Sequence, residues 1–198
     1  VSRTWADVLL IFQIAASVVT GNSCYLLMQG LHSLVLLTNE LMLDDARGSA
    51  IASFCTILVS PKGPEADEVK KVAFETVISA VETNTTAFKG HWMKIMTALS
   101  EFLWQPTNYD FTKYIPIEQV VEMVLSLFSI NDGAVKTREW SMFFISDLLI
   151  ANMSRFEKIW PSVVSNFVSF MESPEFQESS LSAFFKLLSE GFTSESEK

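Results

Sequence analysis

Residues 116–128 read PIEQVVEMVLSLF. Ile117, Val120, Val121, Val124, Leu125 and Phe128 recur at intervals of three and four. That spacing stacks side chains on one face of an α-helix and nowhere else in the common menu of backbone shapes. Pro116 suits the first turn, where a missing N–H leaves nothing unbonded. Asn131-Asp132-Gly133 then breaks the pattern.

Outward from this segment the same period repeats, and strand-like alternation is poor throughout. The sequence predicts an all-α chain of about nine helices. The first lies near residues 4–19 and ends at Gly21, a left-handed cap. The second starts at the Asn22-Ser23 caps and runs to about 42; the third opens at Asp44-Asp45 and runs to about 58. After the break Ser60-Pro61-Lys62-Gly63-Pro64 come helices near 66–86 and 90–104. The fourth helix carries the stripe Val69, Val72, Ala73, Val77, Ala80 and Val81. Gln105 to Ile115 holds too much Pro, Asn, Asp and Thr to be helical. Beyond the 116–128 helix are helices near 134–152, 155–171 (with Pro161 inside) and 175–191, the last with Leu181, Phe184, Phe185 and Leu188 on one face. Residues 193–198 read as a frayed tail and 1–192 as one domain, a fragment of a longer chain.

Three helices share a motif. Trp5 is followed by Val8, Leu9 and Phe12; Trp92 by Ile95, Met96 and Leu99; Trp160 by Val163, Val164 and Phe167. The Trp92 and Trp160 helices each follow another amphipathic helix after a short turn, which is the helix-pair unit of HEAT and armadillo arrays. The expected architecture is therefore a HEAT/armadillo-like α-solenoid. In such a stack each pair buries its stripe on its neighbours, at roughly 25 cal/mol per Å2 of apolar surface. The three tryptophans are expected to pack between repeats.

Composition narrows the function. Of 198 residues, 49% are hydrophobic and 19% charged, and the net charge is −9. The 14 Lys and Arg are scattered, so the chain lacks the concentrated positive footprint of a nucleic-acid binder. It equally lacks a basic patch for an anionic membrane, which makes membrane contact peripheral at most. Val8 to Asn39 carries no charge, but Thr20-Gly21-Asn22-Ser23 splits the run into two pieces, which read as core helices rather than a span; a re-entrant hairpin is the rival reading. Two cysteines, Cys24 and Cys55, in apolar surroundings fit a reduced, cytoplasmic setting. Asn84-Thr85-Thr86 and Asn152-Met153-Ser154 match the glycosylation acceptor triplet, a pattern that arises often by chance.

No constellation of residues points to a reaction. His32 sits among apolar residues as an interior or interface histidine with its bonds satisfied, and His91, at a helix start, is expected in solvent. Glu118 and Glu122 read as a solvated face, as do Glu175 and Glu178, and the seven glycines are isolated. The chain is expected to be non-enzymatic, with no catalytic, metal or cofactor site. The candidate partner-binding residues are Tyr109, Phe111 and Tyr114, which alternate along the 105–115 loop; aromatic loop residues are frequent binding anchors, although they also fold back over helix ends.

Asp45-Ala46 followed by Ala50-Ile51-Ala52 and Phe54, then Glu82-Thr83, then Trp92 with Ile95, Met96 and Leu99, and finally the run from Asn152 to Pro161 carry a further likeness. Together these segments resemble the helical homology-downstream regions of the large Arf guanine-nucleotide exchange factors, the Sec-seven and BIG family, nearest the Mon-two-like scaffold branch. Arg47-Gly48 departs from the family, which usually carries an aromatic or β-branched residue there. The resemblance implies a regulatory or scaffold segment without the exchange domain, acting in vesicle traffic at late Golgi and endosomal membranes. The implied partners are small GTPases of the Arf or Rab type, another trafficking protein, or other segments of the parent chain. A helical-repeat transport adaptor or peptide receptor of another family is the alternative.

Overall fold

The computed structural model of the chain describes residues 2–18, 22–59, 66–101, 103, 105–106, 108–130 and 134–191. Among these the protein is all-α, with nine α-helices and no strand: α1 (Ser2–Val18), α2 (Asn22–Glu40), α3 (Asp44–Val59), α4 (Ala66–Thr83), α5 (Trp92–Ser100), α6 (Ile117–Ser129), α7 (Val135–Ala151), α8 (Phe156–Glu172) and α9 (Gln177–Lys186). Short 3-10 turns at Asp110–Lys113 and Met153–Arg155 and a π-helical turn at Leu187–Gly191 complete it. The expected Gly21 cap, the Ser60–Pro64 and Asn131–Gly133 breaks and the 193–198 tail lie outside the described residues. No helix among the described residues is long and apolar enough to cross a membrane.

The chain divides into two compact units, residues 1–99 and 100–198. In the first, α3 is the centre and packs against α1, α2 and α4, while α2 also lies on α4. Gly48, Ala50, Ile51, Ser53, Phe54, Ile57 and Leu58 are all buried, which leaves α3 no single apolar stripe. From Gly48 to Val59 it contains no charged residue, and its less covered side, Ser49, Ala52, Cys55 and Thr56, is small, neutral and half-buried. Its hydroxyls are satisfied locally: Ser49 donates to the Asp45 carbonyl (2.9 Å), Ser53 to that of Ser49 (3.1 Å) and Thr56 to that of Ala52 (3.0 Å). The α4 stripe, except for the half-buried Val69, and the α5 face of Trp92, Ile95, Met96 and Leu99 are buried as the sequence predicts.

In the second unit α7 takes the central place, against α6, α9, the 110–113 turn and the π turn, while α8 packs on α6 and α9. An aromatic cluster joins the layers. Phe128 of α6 meets Phe167 and Phe170 of α8 edge-on, at 5.6 and 5.0 Å between ring centroids, and Phe167 meets Phe184 of α9 at 6.2 Å. Of the three motif tryptophans only Trp92 is fully buried. Trp160 is half-buried and stacks on Phe156 of its own helix at 5.1 Å, so it packs partly within α8. The buried side of α6 is rotated from its predicted stripe: Val120, Val124 and Phe128 are buried together with Gln119, Met123, Ser126 and Leu127, while Ile117, Val121 and Leu125 are half-buried. Helix α9 is turned over relative to expectation. Its buried side is Ser179, Ser180, Ala183 and, beyond the helix end, Leu187, whereas Leu181, Phe185 and Leu188 are exposed. The small residues let α7 come close enough for the Ser146 hydroxyl to donate to the Ala183 carbonyl at 2.5 Å, a contact that bulky side chains would hold apart.

The α2–α3 corner shows one unusual backbone choice. The Leu43 N–H donates to the Thr38 carbonyl (2.8 Å) and the Met42 N–H to that of Asn39 (3.1 Å), the paired bonds of a Schellman end. Its left-handed position, normally glycine, is Met42 at φ 55°. The side chain is 86% exposed, so the strain is offset by almost no burial. Replacing Met42 by glycine is expected to stabilise the chain by roughly 0.5–1 kcal/mol, raising Tm by about 2 °C. A lower Tm in thermal unfolding would show that the side chain is held by the chain itself.

Candidate functional site

The loop before α6 is built around a buried polar clamp. Asn152, at the C-terminal end of α7, is 1% exposed and donates from Nδ2 to the Thr112 hydroxyl (2.8 Å) and to the Leu148 carbonyl (2.7 Å). The Arg155 guanidinium donates to the carbonyls of Ile115 (2.7 Å) and Thr112, and to Asn152 Oδ1. A long loop whose carbonyls would otherwise be buried without partners thus takes its donors from the α7–α8 corner. The clamp explains why the segment is not irregular, as its composition suggests, but winds into a 3-10 turn at 110–113. It also removes Asn152 from any role as a glycan acceptor in the folded chain. At the other triplet the Asn84 amide is committed to Glu40 Oε1 at 2.9 Å.

The clamp sorts the three predicted aromatic anchors. Phe111 is buried. Tyr109 lies edge-on against Phe144 at 5.2 Å, its hydroxyl sealed from solvent without a partner. Burial, with the Asp147 carboxylate adding to it, pushes the Tyr109 phenol well above its ordinary value. Only Tyr114, at 69% exposed, faces outward. Beside it Lys113 pairs with Asp110, whose carboxyl is held below its ordinary value first by the hydrogen bond from Lys113 and then by that from Asn108. The loop therefore presents one aromatic ring and one ion pair, and the other two rings serve the core.

A second surface feature spans α2 and α4. A groove of about 520 Å3 is lined by Tyr25, Gln29, His32 and Ser33 from α2 and by Glu75, Thr76 and Ser79 from α4, with Val72 at its base. Ser33 and Thr76 donate to their own helix backbones, at 3.0 and 2.8 Å, which leaves their oxygens free to accept. His32 Nε2 is buried without a partner, contrary to the satisfied interior histidine that its apolar neighbours predict. Sequence reading missed this groove because its walls lie more than forty positions apart. The one available signal was the set of polar residues one turn apart on α2, at positions 29, 32 and 33, inside an otherwise apolar run.

A third cluster surrounds Gly48. The Arg47 guanidinium donates to Asn39 Oδ1 and to Asp44 Oδ1, the latter at 2.8 Å, and Asn39 Nδ2 in turn donates to the Thr86 hydroxyl at 3.1 Å. His91 lies over Gly48 so closely that a β-carbon there would come within 3.1 Å of its ring; the glycine stands where it does because the imidazole needs its space. His91 is therefore not solvated, as a helix-start position predicts, and its Nδ1 has no partner. Burial is the main cause lowering its pKa, with Lys94 and Arg47 adding to the shift and Asp44 opposing it. Cys55, one further turn pair along α3, has its thiol pushed up to about 11 by burial, with the Lys94 charge opposing. Among the described residues no group of three or more His, Cys, Asp or Glu gathers where it could hold a metal ion.

Set against known protein families, curated protein sequences and solved structures, the chain matches none of them.

Two expectations follow from this geometry. Asn152→Ala leaves the Thr112 hydroxyl and the Arg155 guanidinium short of a partner and is expected to cost about 2–4 kcal/mol. Hydrogen exchange should then accelerate across residues 108–115 and leave the α1–α4 unit unchanged; uniform acceleration would mean that the clamp is not local. For His91, a folded-state pKa below the ordinary 6.5 means that the unfolded chain binds the proton more readily. Its contribution to stability is thus present above pH 6.5 and lost as pH falls below it. Urea unfolding should show the parent losing more stability than His91→Gln between about pH 7 and pH 5; equal losses would remove His91 as the cause.

Proposed function

We propose that the chain is a non-catalytic scaffold segment of HEAT/armadillo-like build that works by presenting helix seams and one loop to partner proteins. The observation that carries this reading is the packing order. Helix α1 lies on α3, α2 on α4, α6 on α8 and α7 on α9, so each helix in these pairs packs on its second neighbour as well as on the one beside it in sequence. Two rows of stacked helices built this way are what a helical-repeat array needs, and the grooves between second neighbours are the binding surfaces such arrays use. The resemblance to the downstream regions of the large Arf exchange factors adds the partner class. In this reading the chain binds an activated small GTPase of the Arf or Rab type, or another trafficking protein, at the cytoplasmic side of trans-Golgi or endosomal membranes.

The polar α2–α4 groove supports a second reading, a peptide receptor. Side-chain hydroxyls and the Gln29 amide along a groove are suited to the main chain of an extended segment, which needs donors and acceptors on either side.

The test is retention of Arf-type and Rab-type GTPases, each loaded with GDP or a non-hydrolysable GTP analogue, by the immobilised chain. Nucleotide-dependent retention is expected, and Tyr114→Ala is expected to weaken it about tenfold, as loss of an aromatic anchor does. Retention of none of them in either state would leave the GTPase reading without support and turn the assignment to the peptide-receptor reading.

A further inference from the structure

The seam between α1 and the start of α3 holds another groove, also of about 520 Å3. Trp5 and Leu9 of α1 form one wall and Leu43 the base, Met42 stands at the lip, and the Asp44 and Asp45 carboxylates form the rim. Among the described residues no lysine, arginine or histidine lines it. Asp44 shares its charge with Arg47, yet its side chain remains 78% exposed. No described residue pairs with the Asp45 carboxylate. The site is thus an apolar slot with negative charge along one edge.

Met42 is the telling residue. It occupies a left-handed position that glycine fills at lower cost, it is nearly wholly exposed, and its long thioether side chain covers nothing in its own chain. Within the folded chain alone the residue is a net loss. Against a partner it is a flexible, polarisable surface of the kind that adapts to varied apolar side chains. Charge then decides what that partner carries. Two copies of a chain with net charge −9 would bring acid against acid at this rim, and an acidic or neutral segment gains nothing from Asp45.

We infer that the α1–α3 groove is a docking site for a partner segment that presents a large apolar side chain beside a lysine or arginine. The apolar side chain enters between Trp5, Leu9 and Met42, and the cation meets Asp45 at the rim, where partial exclusion of water strengthens the pair. The inference is independent of whether the partner is a GTPase: retention of GTPases can fail while this site binds, and the reverse.

The experiment uses the whole chain and three dye-labelled peptides of about 15 residues, followed by fluorescence anisotropy. One is an amphipathic helix former with leucines on one face flanked by lysines, the second replaces lysine by glutamate, and the third scrambles the first. The ordered leucine–lysine peptide is expected to bind alone among the three. Asp45→Asn and Met42→Gly are each expected to weaken it by roughly tenfold. Met42→Gly is the decisive variant, because its fold is kept or strengthened, so weaker binding cannot be laid to unfolding. The inference is overturned if the scrambled peptide binds as well, which is mere attraction to an acidic chain. It is equally overturned if both variants bind undiminished, if the ordered peptide does not bind, or if sedimentation shows a dimer that Met42→Gly dissociates, since a second copy would then fill the groove.

Discussion

Helices α3 and α7 each stand at the centre of their unit, and most other features answer to how much of their length is covered. Each lies against several partners at once, so residues 48–58 and 140–149 are mostly small or apolar, while the first turns carry the charges Asp44, Asp45 and Arg47 and Lys136, Arg138 and Glu139. Most hydroxyls on the covered turns find bonds within the chain, although that of Ser141 is buried without a partner. Hydroxyls do so by turning back to carbonyls four residues earlier, as Ser49, Ser53 and Thr56 do on α3. A lone charge is accommodated only with a partner in place: Asp147 of α7 accepts from Lys186 at 2.6 Å. Over residues 48–58 and 140–149 the two helices carry one charge, Asp147, because an unpaired charge on a covered turn would be cut off from water.

The places where this packing must end are closed by side-chain amides and arginines. In the first unit Asn39 and Arg47 tie the end of α2 to the start of α3 and to the turn after α4. In the second, Asn152 and Arg155 tie the α7–α8 corner to the loop before α6. Both arginines reach several acceptors at once, which a flat, forked guanidinium does better than a lysine ammonium. In the second unit the donors reach backbone carbonyls of Thr112, Ile115 and Leu148, and in the first they tie side chains of successive elements to one another.

The helices were legible in the sequence because each amphipathic one carries a three-and-four spacing; α6 and α5 were read within a few residues of their ends. What could not be read is which neighbour each face meets. The apolar stripe of α9 is present as expected but points outward, because the decisive feature was the small-residue side that lets α7 approach, and Ser-Ser-x-x-Ala carries no hydrophobic signal. The same limit applied to the loop. Alternating aromatics look like anchors until Arg155, forty residues away, fixes which ring turns in. His91 was misjudged for a similar reason: its place before Trp92 at a helix start says nothing of the bare backbone of Gly48 that it meets in space. A groove built from two distant helices leaves only half a trace in either one, as the polar positions 29, 32 and 33 of α2 do.

The half-buried Cys55 gains a meaning from its surroundings. Sulfur attacks oxidants and alkylating agents as the thiolate, and burial keeps this thiol protonated at neutral pH. In the folded chain its reaction with such reagents is therefore slowed at neutral pH, and loosening of the packing around α3 that rehydrates the sulfur would speed it.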